Sequence, residues 1–343
     1  MGRTRASGLA GRLTRTGIVA ALSLATLAGI GASGALTTAA PAWNPFGVML
    51  PPRLAASGRG VEVARTLGVR YVRPDAVLTA TANASCPTCD RFRQAGFEVV
   101  LTLRNTWDPR VPSRPPGDLE GWRQTVDRVL SRYRPRVLVV ENEENSAWFY
   151  TGTPEEYGAQ LKAACQVAHG RGIPCTNGGL VSTLVALLVY DRYRTSGQLA
   201  MARDFAARAF PPEVRRQLDS PEAQRQIEKG KALLSAYRAA PVDYVNFHWY
   251  VGDPRALEEA VGYLKAQTGL AVLTNEVGQT SDDPHQTTAV MGKIVELGLP
   301  IAVWFGMDGP KARGLVDRDG NLRPTGEAFR SFVLQHVAPG RRR

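Results

Sequence analysis

Residues 95–104, AGFEVVLTLR, contain the local pattern that decides the fold. A helix-like segment ends at Gly96, an apolar residue follows, and the chain continues as a short, mostly apolar run. Glycine after a helix adopts the left-handed conformation at little cost and turns the chain into the next element. Short apolar runs rich in β-branched residues are typical of strands buried on both faces. This segment therefore predicts a helix-to-strand joint of an α/β protein.

The same joint recurs along the chain and predicts a regular alternation of helices and strands. Its glycines are Gly68, Gly96, Gly172, Gly269 and Gly298. Eight apolar runs are predicted as strands: 46–50, 69–73, 97–103, 137–143, 173–177, 244–248, 270–275 and 301–305. Eight parallel strands with helical crossovers predict a closed (β/α)8 TIM barrel, in which no strand has a free edge. An open doubly wound sheet is the alternative, but no glycine-rich phosphate-binding motif follows the first strand.

One connection is longer than a barrel crossover needs. Residues 181–240 separate the fifth and sixth strands, and we expect two or three helices there, including 196–210 and 220–239. We interpret this segment as a helical elaboration on the rim of a single barrel domain, residues 41–337. Such an elaboration would form one wall of a cleft. It would favour a closed pocket, in which an enzyme acts on the end of a polymeric substrate (exo action). The basic tail, residues 338–343, is expected to be solvated.

The first 40 residues predict an export signal. Four arginines in the first 15 residues precede an uncharged, mostly small and apolar run over 17–40, and Thr38-Ala39-Ala40 offers small residues for cleavage. Cleavage near Ala40 would release a secreted or otherwise extracytoplasmic protein. The alternative is an uncleaved membrane anchor, because the run approaches the roughly 20 residues of a membrane span. The protein contacts a membrane only in this second case.

Cysteine content agrees with an oxidising compartment. The chain has four cysteines, Cys86, Cys89, Cys165 and Cys175. We expect two local disulfides, Cys86–Cys89 and Cys165–Cys175. A redox-active Cys-x-x-Cys pair, or a zinc site built from all four sulfurs, are the alternatives.

Composition and charge exclude several classes of protein. With 44% hydrophobic and 21% charged residues, the chain can bury a sizeable core and is neither collagen-like, coiled-coil nor disordered. The net charge of +11 raises the question of nucleic-acid binding. However, the arginines are scattered, no recognition motif is present and an exported protein seldom meets DNA. We therefore expect no nucleic-acid partner. We also expect the protein to be a monomer.

Carboxylates follow two predicted strands at the end where (β/α)8 barrels hold their reacting groups. The fourth strand leads into Glu141-Asn142-Glu143-Glu144, and the seventh ends at Glu276. Two carboxylates facing across a barrel mouth fit glycoside hydrolysis, in which one protonates the leaving oxygen and the other attacks the anomeric carbon or activates water. We expect Glu141 and Glu144 to cap the next helix or bind backbone amides instead.

These motifs resemble the clan A glycoside hydrolases, which are retaining β-glycosidases on a (β/α)8 barrel, and the resemblance covers most of residues 45–332. It implies that Glu143 is the acid/base, that Glu276 is the nucleophile and that Asn142 binds the sugar 2-hydroxyl. It also implies that His248 and Tyr250 help to hold the substrate and the nucleophile.

The resemblance extends to an arginine and an aromatic residue of the barrel. It implies that Arg73 lies beneath the nucleophile and that Trp304 forms an aromatic floor for the substrate. The implied substrate is an oligosaccharide or polysaccharide, and no cofactor or metal is implied. Trp148 is a further candidate for sugar binding. Like Trp107, Phe149 and Tyr150, it lies on a loop after the third or fourth strand, where an aromatic side chain either stacks on a sugar or packs within the loop.

Two departures from the clan pattern leave a non-catalytic reading open. Glu144 stands where a proline often follows the acid/base, and Arg104-Asn105 stands where a histidine is often found at the third strand. The alternative function is therefore a carbohydrate-binding barrel that has lost turnover. A metal-dependent hydrolase is a third possibility, but the first and fifth strands end without His-x-His or carboxylate ligands.

The mechanism requires carboxyl groups with unequal pKa values, one protonated and one ionised. We expect Arg73 to keep Glu276 ionised. We also expect repulsion among Glu141, Glu143 and Glu144 to raise the pKa of at least one of them.

Overall fold

A closed parallel sheet forms the centre of the structure, a computed structural model that describes residues 43–309 and 312–337. Its strands are β1 (Phe46–Met49), β2 (Tyr71–Val72), β3 (Val77–Leu78), β4 (Glu98–Arg104), β5 (Val137–Val140), β6 (Cys175–Asn177), β7 (Tyr244–Trp249), β8 (Ala271–Val277) and β9 (Ala302–Phe305). They run in the order β2-β1-β9-β8-β7-β6-β5-β4, and pairing of β2 with β4 closes the barrel. Since β3 pairs with β4 just beyond β2, these two short strands share one position of an eight-stranded barrel. The predicted (β/α)8 TIM barrel is confirmed.

Helices alternate with the strands, as predicted. They are α1 (Pro52–Ala55), α2 (Gly58–Leu67), α3 (Pro87–Gln94), α4 (Leu119–Tyr133), α5 (Pro154–His169), α6 (Ser182–Thr195), α7 (Leu199–Ala209), α8 (Pro212–Arg215), α9 (Pro221–Ala239), α10 (Pro254–Thr268), α11 (Pro284–Glu296) and α12 (Pro324–His336). The five joint glycines have positive φ angles of 71°, 91°, 67°, 72° and 67° in chain order. Only glycine adopts this conformation at little cost, which explains how each helix turns into the following strand.

The segment between β6 and β7 is the expected helical elaboration, and it consists of α6 to α9. Predicted helices 196–210 and 220–239 correspond to α7 and α9. The apolar helix α6 packs against α9 at Gly230, where an added Cβ would lie 2.9 Å from Leu184 Cδ1. This close approach packs two helices of the elaboration together, and α9 in turn packs on α5 of the barrel, where a Cβ added at Gly158 would lie 3.2 Å from Ala236 Cβ.

Side chains on the strands alternate between two layers. Val137, Val139 and Val303 belong to a small core inside the barrel, whereas Val140 and Trp304 belong to the larger core between strands and helices. This alternation follows from the two-residue period of a strand. It decides which residues at the strand ends can reach the barrel mouth.

The fourth predicted strand is shorter than expected, because it ends at Val140 and not at residue 143. Glu141 and Glu143 have φ angles of 68° and 44°. These left-handed conformations are incompatible with a continuing strand and costly for glutamate. The acidic segment is therefore a tight loop above the barrel.

Both predicted disulfides are confirmed. Cys86 is bonded to Cys89 and Cys165 to Cys175, so no thiolate remains for a zinc site. The predicted export segment and the basic tail lie outside the described residues. Within the described ranges, none of the helices combines the length and the apolar character that crossing a membrane requires.

Candidate active site

Glu143 and Glu276 face each other across the barrel mouth. The register between β7 and β8 shifts by one residue, so that His248 pairs with Glu276 although Asn246 pairs with Leu273. This bulge points Glu276 to the same side as Leu273, three positions earlier, and so into the mouth. One carboxylate oxygen of Glu143, one of Glu276 and one ring nitrogen of His248 all lie within 4.8 Å of one another. The structure therefore brings the two predicted carboxylates together.

Glu276 is held as an anion. Arg73 Nη1 donates to Oε2 at 2.5 Å, and the Tyr250 hydroxyl donates to Oε1 at 2.7 Å. Burial by itself would raise the pKa of Glu276, but the charges of His248 and Arg73 and these hydrogen bonds outweigh burial and lower it. An ionised, oriented carboxylate with little solvation is the state that a nucleophile requires.

Arg73 connects Glu276 with Asn142. It is only 5% exposed, and its Nη2 donates to Asn142 Oδ1 at 2.6 Å while Nε donates to the Thr102 hydroxyl at 3.3 Å. With Asn142 Oδ1 engaged by Arg73, the Asn142 amide NH2 is the part available to a ligand. The predicted position of Arg73 beside Glu276 is thus what the structure shows.

His248 lies between the two carboxylates. Its Nδ1 is 2.8 Å from Glu143 Oε1 and 3.6 Å from Glu276 Oε1. Its Nε2 is 3.0 Å from Asn275 Oδ1, an oxygen that also accepts from Asn246 Nδ2. Because this oxygen only accepts, Nε2 carries a hydrogen and Nδ1 faces Glu143. Burial disfavours the charged ring, but Glu276 and Glu143 outweigh it and raise the pKa of His248.

A ladder of asparagines beneath the site escaped the sequence analysis. Asn177 Oδ1 accepts from the Asn246 amide at 2.7 Å, and Asn246 Oδ1 accepts from the Asn275 amide at 2.9 Å. These residues orient His248, and Gly179 makes room for it, since an added Cβ would lie 2.4 Å from His248 Nε2. The available signal was the presence of asparagine within otherwise apolar strands, which is costly unless the amide is hydrogen-bonded.

Two buried glutamates anchor the loop that carries Glu143. Glu141 Oε1 accepts from the Asn105 backbone amide at 2.9 Å, which confirms the expected amide contact, and from Gln160 Nε2 at 2.6 Å. Glu144 instead accepts from the Tyr237 hydroxyl and from Asn177 Nδ2. Tyr237 belongs to α9, so the helical elaboration helps to position the acidic loop.

The predicted reason for a raised pKa in this loop is wrong. The pKa of Glu141 is raised to about 7 and that of Glu144 is also raised, but in both cases the main cause is burial and not repulsion between carboxylates. Hydrogen bonds to each group offset this effect only in part.

Replacing Glu141 by glutamine should change how stability depends on pH. Since the Glu141 carboxyl has a pKa of about 7 when folded and 4.5 as its ordinary value, the folded protein binds its proton more tightly. Wild-type stability should therefore fall by about 3 kcal/mol from this group as pH rises through this window. The unfolding free energy of Glu141→Gln minus that of wild type should rise by a similar amount between pH 4 and pH 9. Chemical denaturation at both pH values measures it, and the exposed Glu62→Gln serves as control; a difference independent of pH would contradict the expectation.

Two cavities meet at Glu143. One, the carboxylate cavity, has a volume of about 820 Å³ and is lined by both glutamates, Asn142 and Arg73. The other, the insertion cavity, has about 770 Å³ and is lined in part by residues 207–212, 214 and 215 of the helical elaboration. Both cavities share Glu143 and Phe305. Glu143 therefore lies between two spaces of ligand size.

The predicted role of Trp304 is wrong, because this side chain points away from the mouth. It is fully buried and packs edge-on against Phe329 of α12, with 5.7 Å between ring centroids. Its neighbour Phe305 lines both cavities and contacts Tyr250 at 5.9 Å between centroids. The error is a shift of one residue on β9, which reverses the side of the strand.

The aromatic residues of the loop after β5 lie in different surroundings. Trp148 is 85% exposed and lines neither cavity, whereas Phe149 lines the carboxylate cavity and stacks with Arg104. Tyr150 is buried and donates to Gln160. Loop packing therefore accounts for Tyr150, whereas Trp148 projects into solvent outside both cavities.

Among the described residues, Glu143, His248 and Glu276 also form the one cluster with the spacing of a metal site. These residue types can bind zinc. Against a metal, Arg73 already neutralises Glu276, and His248 contacts Glu143 directly. The arrangement suits proton transfer and nucleophilic attack better than metal binding.

Comparison with solved structures finds (β/α)8 proteins. An exo-β-1,3-glucanase of family GH128, subgroup VI, from Aureobasidium namibiae matches with a TM-score of 0.53 and 10% identity over 84% of this chain and 97% of that chain. A subgroup II endo-β-1,3-glucanase from Sorangium cellulosum matches with 0.52 and 15% identity over 84% and 98%. A subgroup I endo-β-1,3-glucanase from Amycolatopsis mediterranei, a mutant in complex with laminaripentaose, matches with 0.50 and 14% over 84% and 99%.

These similarities agree with the barrel fold that the sheet topology shows. No family model matches the sequence, and no curated protein is significantly similar to it.

Proposed function

We propose that the protein is a retaining glycoside hydrolase that cleaves β-linked glycosides by double displacement. The observation that carries this proposal is the geometry of Glu143 and Glu276, which place one oxygen each within 4.8 Å of the other. Retaining enzymes have carboxyl groups about 5 Å apart, whereas inverting enzymes need a wider gap for a water molecule. The different surroundings of the two groups also match their different tasks.

In the first step Glu276 attacks the anomeric carbon while the bond to the leaving oxygen breaks. Glu143, which is hydrogen-bonded to His248 Nδ1, gives its carboxyl proton to that oxygen, so the leaving group departs as an alcohol. A covalent ester joins the sugar to Glu276. Arg73 and Tyr250 restrain the Glu276 carboxylate through its two oxygens and leave it oriented for attack.

In the second step the ionised Glu143 removes a proton from water, and the resulting hydroxide equivalent attacks the anomeric carbon. The ester bond breaks and Glu276 leaves as a carboxylate, so the two inversions give net retention. Asn142, fixed through its oxygen by Arg73, presents its NH2 group to the sugar 2-hydroxyl. This contact fixes the orientation of the sugar relative to the two carboxylates.

For the glycone, β-1,3-linked glucose is the first sugar to test. The three similar structures described above are β-1,3-glucanases, of both exo and endo type. Cavities on both sides of Glu143 favour substrate contacts on both sides of the scissile bond over a closed pocket with exo action. The two disulfides support the proposal that the protein works outside the cytoplasm after export. We also propose that it acts as a monomer.

Covalent trapping tests the mechanism. We expect 2-deoxy-2-fluoro glycosyl fluorides of glucose and laminaribiose to inactivate the protein and to add one glycosyl mass on the peptide that contains Glu276. Wild type with laminaribiose added as competitor should react more slowly. Binding of laminari-oligosaccharides without adduct or hydrolysis would instead favour the non-catalytic barrel. Hydrolysis that a chelator abolishes and zinc restores would favour the metal-dependent reading.

A further inference from the structure

The two cavities take different parts of the substrate, an assignment that rests on the proposed function. Glu276, Asn142 and Arg73 line the carboxylate cavity but not the insertion cavity, which shares only Glu143 and Phe305 with it. The acid must reach the oxygen of the leaving group, whereas the nucleophile must reach the sugar that stays bound. The insertion cavity therefore lies on the leaving-group side.

The insertion cavity has mainly apolar walls. Its apolar side chains include Val181, Phe210, Pro211, Val214, Val251 and Ala312. Ring-constrained prolines and β-branched valines give a stiff surface that offers no hydrogen bonds to sugar hydroxyls. An apolar group that enters this space gains the free energy of leaving water.

The buried polar groups of these walls are already occupied within the protein. The Ser182 hydroxyl donates to the His248 carbonyl at 3.2 Å and accepts from the Tyr250 amide at 3.0 Å. The Tyr250 hydroxyl is engaged by Glu276. A sugar placed against these buried walls would lose hydrogen bonds to water without replacing them there, and this loss is costly.

The positive charge of Arg208 is also balanced within the protein, by three carboxylates. Its guanidinium contacts Asp204 at 2.9 Å, Asp253 at 3.2 Å and Glu259 at 2.8 Å. The remaining polar side chains of the cavity are solvent-exposed; they are Thr183, Arg215 and Thr280. The carboxylate cavity also contains charged side chains, those of Arg73, Asp75 and Arg104.

We propose that the insertion cavity selects leaving groups with an apolar face, so that the enzyme prefers β-glycosides of alkyl or aryl alcohols to those whose leaving group is a further sugar. The helical elaboration supplies this selectivity, because residues 207–212, 214 and 215 form one wall.

Alkyl glycosides with equally reactive leaving groups test the proposal. Methyl and hexyl β-glucosides and β-laminaribiosides are compared by kcat/KM and, separately, by Kd from calorimetry, below micelle-forming concentrations. We expect kcat/KM for hexyl to exceed that for methyl by about tenfold or more, since each buried methylene contributes on the order of a fourfold gain. Val214→Asp and the milder Val214→Thr should bring the hexyl-to-methyl ratio towards one. Glu213→Gln, on the same helix but outside the cavity, should keep the wild-type ratio.

The outcomes separate this inference from the proposed function. A hexyl-to-methyl ratio near one in both kcat/KM and Kd, or a ratio that both Val214 variants leave unchanged, overturns the apolar leaving-group site even if hydrolysis is observed. Faster cleavage of laminaritriose than of hexyl laminaribioside overturns it as well. Tighter binding of hexyl glycosides, lost in the Val214 variants, supports the site even if no glycoside is hydrolysed, and in that case only the proposed function fails.

Discussion

Glu276→Gln should lower kcat by a factor on the order of 10⁴ to 10⁶, as losses of an activated nucleophile do. Glutamine has nearly the same size as glutamate and keeps an oxygen that can accept a hydrogen bond from the Tyr250 hydroxyl. Its amide cannot form the glycosyl ester. Hydrolysis of an aryl β-glucoside and of laminari-oligosaccharides measures the effect. The variant should also fail to gain mass from the fluoro sugars.

Two controls show whether such a loss is chemical. Glu62→Gln, an exposed substitution on α2, should leave kcat within a factor of about two, as expected for a surface change. Glu276→Gln should still bind laminari-oligosaccharides and unfold cooperatively, although Arg73 loses its charged partner. Activity within about tenfold of wild type would show that Glu276 is not the nucleophile.

The barrel could be predicted because its signals are local. Glycine at a helix end and short apolar runs both follow from the conformation of a few consecutive residues, and the five joint glycines have the expected left-handed angles. The ends of the strands were harder to predict, because no local rule shows that Glu141 and Glu143 adopt positive φ angles. That conformation is imposed by partners distant in sequence, including Gln160 and Tyr237.

Identification of the site depended on which side of each strand faces the mouth. The carboxylates were found because residue type and position at a strand end agreed. Trp304 was misplaced because adjacent residues on a strand point in opposite directions, and the resemblance could not distinguish it from Phe305. The bulge in β8 that turns Glu276 inward is equally invisible in the sequence, because it arises from pairing with β7.

The surroundings of Glu144 explain why one departure from the clan pattern is compatible with the proposed activity. Glu144 is buried, and its carboxylate accepts hydrogen bonds from Tyr237 and Asn177, which fix the loop from the side of the helical elaboration. A proline at this position would stiffen the loop through its ring. Glu144 achieves a similar restraint through side-chain contacts, so this departure changes how the loop is held and leaves Glu143, the proposed acid/base, facing Glu276.

Glu143→Ala should produce a loss that depends on the leaving group. For laminari-oligosaccharides, whose alcohol leaving groups need a proton, kcat/KM should fall by roughly 10² to 10⁴. The leaving group of 2,4-dinitrophenyl β-glucoside is dinitrophenolate, which departs without a proton. For this substrate kcat/KM should change much less, because formation of the ester on Glu276 needs no acid. The ester should then accumulate, since no base activates water, and a burst of dinitrophenol should precede slow turnover.

Azide provides the decisive readout for this variant. As an anion that needs no general base, it should enter the space left by the Glu143 side chain, attack the ester and restore turnover of the dinitrophenyl substrate. Because Glu276 shields the opposite face, the product should be the β-glycosyl azide, which NMR identifies. An equal loss on both substrates, or an α-glycosyl azide as product, would show that Glu143 is not the acid/base and that the two carboxylates have other roles.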